Sequence, residues 1–354
     1  MTDATLSLDE MLAALRENAG NADDRLEWPE SSWQALRRGG AVRWAIPMPT
    51  GGDGLEGKRL LEGYEQVAAA CLTTCFILSQ RDAACRRLRD STNQELAREL
   101  LPELAEGKKF ATVGLSQLTT SRQHVKPAMT AREASGDFVL DGFMPWVTGA
   151  PRADFYVTGA VLEDGRQFLA VLPRDRPGVT VGPPAELMAL QGSLTAEVRC
   201  DNVRLERRWL LAGPVEKVMA GARGGTGGLE TSCLALGLTG AAVDYLLAEA
   251  ASRADLRATA DRLEHARALI RQELHRAATV GCDSEAAAAL RGRANTLALR
   301  ATQAALTASK GAGFLRGHPA QRWARQALFF LVWSCPRPAV EATMEYLAGS
   351  CLLE

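Results

Sequence analysis

Few residues in this chain have types and spacings that suggest chemistry. Glu230 stands directly after the glycine-rich tract 221–228 and opens a long apolar stretch. A carboxylate set among apolar residues is expected to hold its proton more tightly than in water, which suits general-base work. A glutamate in the first turn of a helix also complements the helix dipole. Both readings stay open at Glu230. Trp146, ahead of Val147-Thr148-Gly149, reads from the residues alone as an aromatic of a β-core. In Lys310-Gly311-Ala312-Gly313 the glycines allow close approach of backbone to a dinucleotide, although such a pair is also a common helix-ending turn.

Metal and hydrolase chemistry find little support. Cys71 and Cys75 lie four apart, as ligands on one helix face would, but no histidine or third cysteine is near them, so small core packing is the preferred reading. The four histidines, 124, 265, 275 and 318, are scattered, and no Ser/His/Asp grouping accompanies them. His318, beside the last turn, is the one with a suggestive setting. Cys335 is a reactive thiol or, more commonly for such a residue, a packed one.

The elements that must position these residues are legible in outline. The 354 residues, 47% hydrophobic, can bury a sizeable core and allow two or three structural units. A net charge of −1 with no basic stripe or acidic tail argues against nucleic acid or a charged membrane surface as partner. The eight cysteines show no CxxC pair and read as reduced, mostly buried thiols. With no apolar signal core and no run of membrane-spanning length, a soluble cytoplasmic protein is expected. Leu353-Glu354 reads as a cloning scar.

Ser7 and Glu10 form a capping box ahead of helical spacing at Leu8, Met11, Leu12 and Leu15. Trp28–Trp33 begins a second helix, 41–54 is loop-like, and one long helix is expected from about Leu55 into the Arg80s, followed by another over 93–106. Phe138 and Leu140 run into Asp141-Gly142, which reads as a tight turn. Runs at 155–161, 167–172, 179–181 and 194–200 complete a small β-domain. Beyond it, four long helices, about 229–254, 259–280, 284–311 and 320–348, suit a bundle. The fold class is α+β, mostly α: a helical domain over 1–109, an antiparallel β-domain over 110–215 and a helix bundle over 216–354.

Gly142-Phe-Met-Pro-Trp146-Val-Thr148-Gly resembles the "NGxKxWITN" element of the acyl-CoA dehydrogenases, and Ala111-Thr-Val-Gly-Leu115-Ser116-Gln resembles an earlier strand end of that family. The resemblance follows the family's order along nearly the whole chain. It implies the family's three-part fold and an FAD cofactor, with Trp146 and Thr148 against the flavin ring and Leu115 and Ser116 along its edge. Thr119-Thr-Ser-Arg122 replaces the family's Gly-Ala-Gly-Ser-Asp, which alters the backbone cradle and an acyl-carrier contact.

The usual family base, the Glu of "YEGT", is replaced here by Ser334 in Trp333-Ser-Cys-Pro336. Glu230-Thr-Ser-Cys-Leu-Ala-Leu-Gly-Leu-Thr-Gly240 is instead similar to the "ERxxLAxGxxG" pattern in which a minority of the family carries the base, with Thr231 in place of its Arg. The resemblance thus implies removal of an α-proton from an acyl thioester by Glu230 and hydride transfer to flavin N5. It also implies FAD contacts, reaching a neighbouring subunit's cofactor, from Arg253, Gly311 and Gly313. A thioester of CoA or of a carrier protein, an electron-transfer flavoprotein as acceptor, and a homodimer or homotetramer follow in the same way. Two alternatives remain on the same fold: a flavin monooxygenase or oxidase, and a non-catalytic relative.

Overall fold

The computed structural model describes residues 5–119, 127–220, 228–333 and 337–348. Helix α1 (Leu8–Asp24) begins with the expected capping box: Ser7 Oγ accepts from the Glu10 amide and the Glu10 carboxylate accepts from the Ser7 amide. α2 (Glu30–Arg38) follows, then α3 (Gly57–Ala70), α4 (Leu72–Arg89) and α5 (Gln94–Ala105).

The single helix expected from Leu55 into the Arg80s is two. Cys71 takes an extended backbone (φ −154°, ψ 102°) between α3 and α4. The apolar stripe runs through the break without changing period, so the pattern carried no stop signal. The break turns α4 back against α3, and the hydroxyl of Tyr64 then donates to Asp82 across 2.8 Å.

β1 (Ala111–Gly114), the short α6 (Ser116–Thr119), β2 (Met129–Ala134), β3 (Asp137–Val147), β4 (Phe155–Leu162), β5 (Gln167–Pro173), β6 (Val179–Pro184), β7 (Ala196–Leu205) and β8 (Leu210–Val215) build one sheet. Its order is β6-β7-β3-β2-β4-β5-β8, with β1 also on β4. The sheet is mixed rather than antiparallel, because β1 and β2 both run parallel to β4, end to end along one of its edges. Parallel neighbours need a long connection, and the intervening hairpin of β2 and β3 supplies it.

Asp141-Gly142 is not the turn of that hairpin. Ser135 and Gly136 (φ 51° and 85°) make the turn, and β3 continues through Asp141-Gly142 as a bulge against β7. Gly142 (φ 129°) is needed there because a Cβ would sit 2.1 Å from the Ala128 carbonyl oxygen.

α7 (Leu229–Ala250), α8 (Arg257–Val280) and α9 (Ser284–Ala308) pack on one another, and α7 lies along α3. The last expected helix is also two, α10 (Pro319–Phe329) and α11 (Arg337–Ala348). α7 is long and apolar enough to cross a membrane, but 72% of its apolar window is buried in this fold. Cys71, Cys75, Cys85, Cys200 and Cys233 are buried free thiols, and Cys282 is an exposed one.

Candidate active site

The end of β1 and the end of β3 are locked together. A Cβ on Gly114 would lie 2.5 Å from Met144 Sδ and 3.1 Å from Val147 Cγ2, so a side chain there would require Met144 to shift. Gln117 fastens the following turn: its Nε2 donates to the Gly114 carbonyl, Thr158 Oγ1 and the Gly159 carbonyl at 2.9, 2.9 and 3.2 Å. Leu115 is therefore held buried and Ser116 half-buried, with α6 against β3.

On β3 the register against β7 shifts between Met144 and Val147. Strict alternation would turn Trp146 inward with Met144. The bulge instead buries Met144, Val147 and Thr148 and leaves Trp146 60% exposed. Trp146 is not a core aromatic, and its indole offers a flat apolar face beside buried Thr148.

Glu230 sits in the first turn of α7, after Gly228. A Cβ on Gly237 would lie 2.5 Å from the Glu65 carbonyl oxygen, so α7 and α3 meet at backbone contact. Cys233 Sγ adds a 2.9 Å bond to the Leu61 carbonyl. This fixes the start of α7 over α4, where Arg86 Nη2 is 3.4 Å from Glu230 Oε1.

Arg86 in turn donates to the Tyr64 hydroxyl at 3.3 Å. Tyr64 donates to Asp82, and Asp82 accepts from Arg81 at 2.7 Å. Arg81, buried, also donates to the carbonyls of Val42 and Leu104. The carboxylate is thus not in an apolar setting: its side chain is 34% exposed and has a guanidinium partner.

The chain of bonds shapes its members' proton affinities. Burial pulls against the charge on Arg86, but Glu230, Tyr64 and Asp82 outweigh it and hold the guanidinium's pKa above its ordinary value. Burial, then the neighbouring Arg86, pushes Arg87 down to about 10. Burial, then Asp82, raises the Tyr64 phenol, so it stays a donor. α4 packs against both α7 and β1, which makes it a wall shared by Glu230 and the Leu115–Ser116 edge.

Arg253, Gly311 and Gly313 gather elsewhere. Arg253 Nη1 donates to the Ala308 carbonyl at 2.6 Å, at the end of α9, just before the 3₁₀ turn Lys310–Phe314 that holds the two glycines. From Glu230 to the end of α7 at Ala250 the helical rise is about 30 Å, and Arg253 lies beyond that end, so one chain does not bring these residues onto the same ring. His318 caps α10, its Nδ1 accepting from the Ala320 amide, and its ring meets Tyr245 edge-on at 5.8 Å.

Sequence reading missed Arg86, Tyr64 and Gln117. Arg86 and Tyr64 lay in segments read only as helix, and their roles come from partners far along the chain. Ser334, Cys335, Thr120–Arg122, His124 and most of the glycine-rich tract lie outside the described residues. Among the described residues no His, Cys, Asp and Glu side chains gather as a metal site.

No family model matches the chain. It is 23% identical over 201 residues to a probable acyl-CoA dehydrogenase of Mycobacterium leprae, covering 56% of this chain and 52% of that protein, so the match spans about half the relative's length. An acyl-CoA dehydrogenase of Bacillus subtilis is 24% identical over 323 residues, with 85% of both chains covered. The solved glutaryl-CoA dehydrogenase of Mycobacterium smegmatis, in complex with FADH2, superposes with a TM-score of 0.80 at 18% identity, covering 99% of this chain and 97% of that one. The chain is a divergent relative of the acyl-CoA dehydrogenases and has their fold.

Proposed function

We propose that the chain is an FAD-dependent oxidoreductase of acyl-CoA dehydrogenase type, which desaturates an acyl thioester between its α and β carbons. The observation that carries this reading is the placement of Glu230 and the β1 end on the same wall, α4. The exposed Trp146 indole suits a flat aromatic ring system, and the β1 end that leads to Leu115 and Ser116 approaches its strand at Met144 and Val147. When bound, the flavin supplies the acceptor for the two electrons that leave with the β-hydrogen.

The protein's own part is orientation and proton removal. Trp146 and Leu115 offer apolar surface to the ring, and Thr148 and Ser116 stand at its polar edge. The Glu230 carboxylate takes the α-proton of the thioester. Arg253, Gly311 and Gly313 serve as contacts to the cofactor of a second copy in a homodimer or homotetramer, since about 30 Å of helix separates them from Glu230. The acyl carrier is CoA or a carrier protein, and a separate electron-transfer flavoprotein accepts the electrons.

The absorbance spectrum of the purified protein is the first test. Bound FAD is expected, bleached without oxygen by at least one member of an acyl-thioester panel. Glu230→Gln is expected to slow that bleaching by roughly 10²–10⁴-fold. Absence of flavin binding sinks the reading, and bleaching at the wild-type rate in Glu230→Gln removes the base assignment. Hydroxylated product formed only when reduced flavin is supplied moves the assignment to a monooxygenase.

A further inference from the structure

Arginine–carboxylate contacts are common on this molecule, and several join two exposed side chains, where such a pair contributes little. Arg86 is different because it is held from behind. Tyr64 is fully buried, donates its hydroxyl hydrogen bond to Asp82, and accepts one from Arg86. Asp82 is fixed in turn by Arg81, which is tied to the Val42 and Leu104 carbonyls. The guanidinium is therefore anchored to the protein interior through one nitrogen and faces Glu230 with the other.

We propose that Arg86 is a positioning residue for Glu230, which it holds from the Tyr64–Asp82 anchor in one orientation over α4; this rests on Glu230 being the base. The 3.4 Å contact is longer than the 2.7–2.9 Å of a tight charge-assisted bond, so the carboxylate is steadied without being fully engaged. When Glu230 accepts the α-proton, the pair loses its negative member while Arg86 keeps its charge. The charged and titratable groups around the carboxylate are Arg86 and Arg87 from α4, Tyr64 from α3, and Cys233 from α7 itself.

Three variants of the full-length flavin-loaded protein test this, each first checked for folding by circular dichroism. Arg86→Met keeps the length of the side chain and removes its charge. It is expected to slow flavin bleaching roughly 100-fold, the effect of a misplaced reacting group, with a smaller change in KM. Arg86→Lys does not restore the rate, since one ammonium does not reproduce the two-sided hold. Tyr64→Phe, which keeps the arginine and removes its anchor, also lowers the rate.

A readout independent of turnover is carbodiimide labelling of Glu230, followed by mass spectrometry. Labelling at fixed pH should be faster in Arg86→Met than in wild type. Wild-type bleaching and labelling in Arg86→Met overturn the proposal. If Arg86→Met does not fold, wild-type rates in both Arg86→Lys and Tyr64→Phe overturn it equally. Loss of bleaching in Glu230→Gln beside wild-type behaviour of the Arg86 variants sinks this inference alone, whereas an active Glu230→Gln sinks the base reading beneath it.

Discussion

The two ends of α7 each carry an arginine beside acidic side chains, and they are built in opposite ways. At the start of the helix, Arg86 reaches Glu230 with one nitrogen and Tyr64 with the other, and the chain of bonds continues inward to Arg81. Beyond the end, Arg253 gives its short bond to the Ala308 carbonyl, and its acidic neighbours Glu249 and Asp255 stand off at 3.7 and 3.8 Å. A helix leaves its last carbonyls without intrahelical partners, and a nearby guanidinium is a common way to satisfy them. At the start of α7, then, the interior holds a charged group in place next to a carboxylate. Past its end, an arginine closes off another helix and is occupied in doing so.

The comparison breaks most visibly at Asp82. Arg81 and Asp82 are both buried, and removing one member of such a pair leaves the other charge uncompensated. Asp82→Ala is expected to cost about 3–5 kcal/mol, read by urea unfolding followed by circular dichroism. It should also free the Tyr64 hydroxyl, so that Glu230 is held less firmly in whatever protein still folds. A loss below about 1 kcal/mol would mean that the network adds little, and the contrast between the two ends would lose its basis.

Arg253→Ala tests the other end. One charge-assisted bond to a helix terminus is lost from a side chain 28% exposed, and water can reach the freed carbonyl. The expected cost is about 1 kcal/mol by the same unfolding measurement. A cost equal to that of Asp82→Ala would show this end to be as deeply tied as the first.

What was legible in the sequence follows the same division between local and distant causes. The Ser7–Glu10 box, the hairpin of β4 and β5 around Gly165, and the stripes of α7 to α9 are set by residues close in sequence, and their pattern gives them away. The break at Cys71 and the continuation of β3 through Asp141-Gly142 are set by what packs against them, so period and turn chemistry pointed elsewhere. Trp146 was placed by its motif, but its exposure depends on a bulge that alternation does not encode. Glu230 was singled out as a candidate base by resemblance. Its arginine was not, because Arg86 lies 144 positions earlier in a helix whose charged and apolar residues gave no sign of which of them are buried.

The smallest expected effect is at Gly311, and it sharpens the comparison most. Gly313 has a reason within the chain itself: a Cβ there would lie 2.5 Å from the Ser309 Cβ. A Cβ on Gly311 meets nothing within 4 Å, and its backbone is outside the left-handed region, so this chain alone gives no reason for glycine at that position. Gly311→Ala should therefore leave stability within about 0.5 kcal/mol of wild type or raise it slightly, by restricting the unfolded chain. Equilibrium unfolding and retained flavin on a sizing column should be measured on the same samples. Unchanged stability with weakened flavin retention would mean that a ligand approaches the backbone at this turn, most simply a cofactor held by a second copy. Unchanged stability with full retention would leave this end of the bundle as a helix closure and nothing more, and the case for contacts from Arg253 would fall with it.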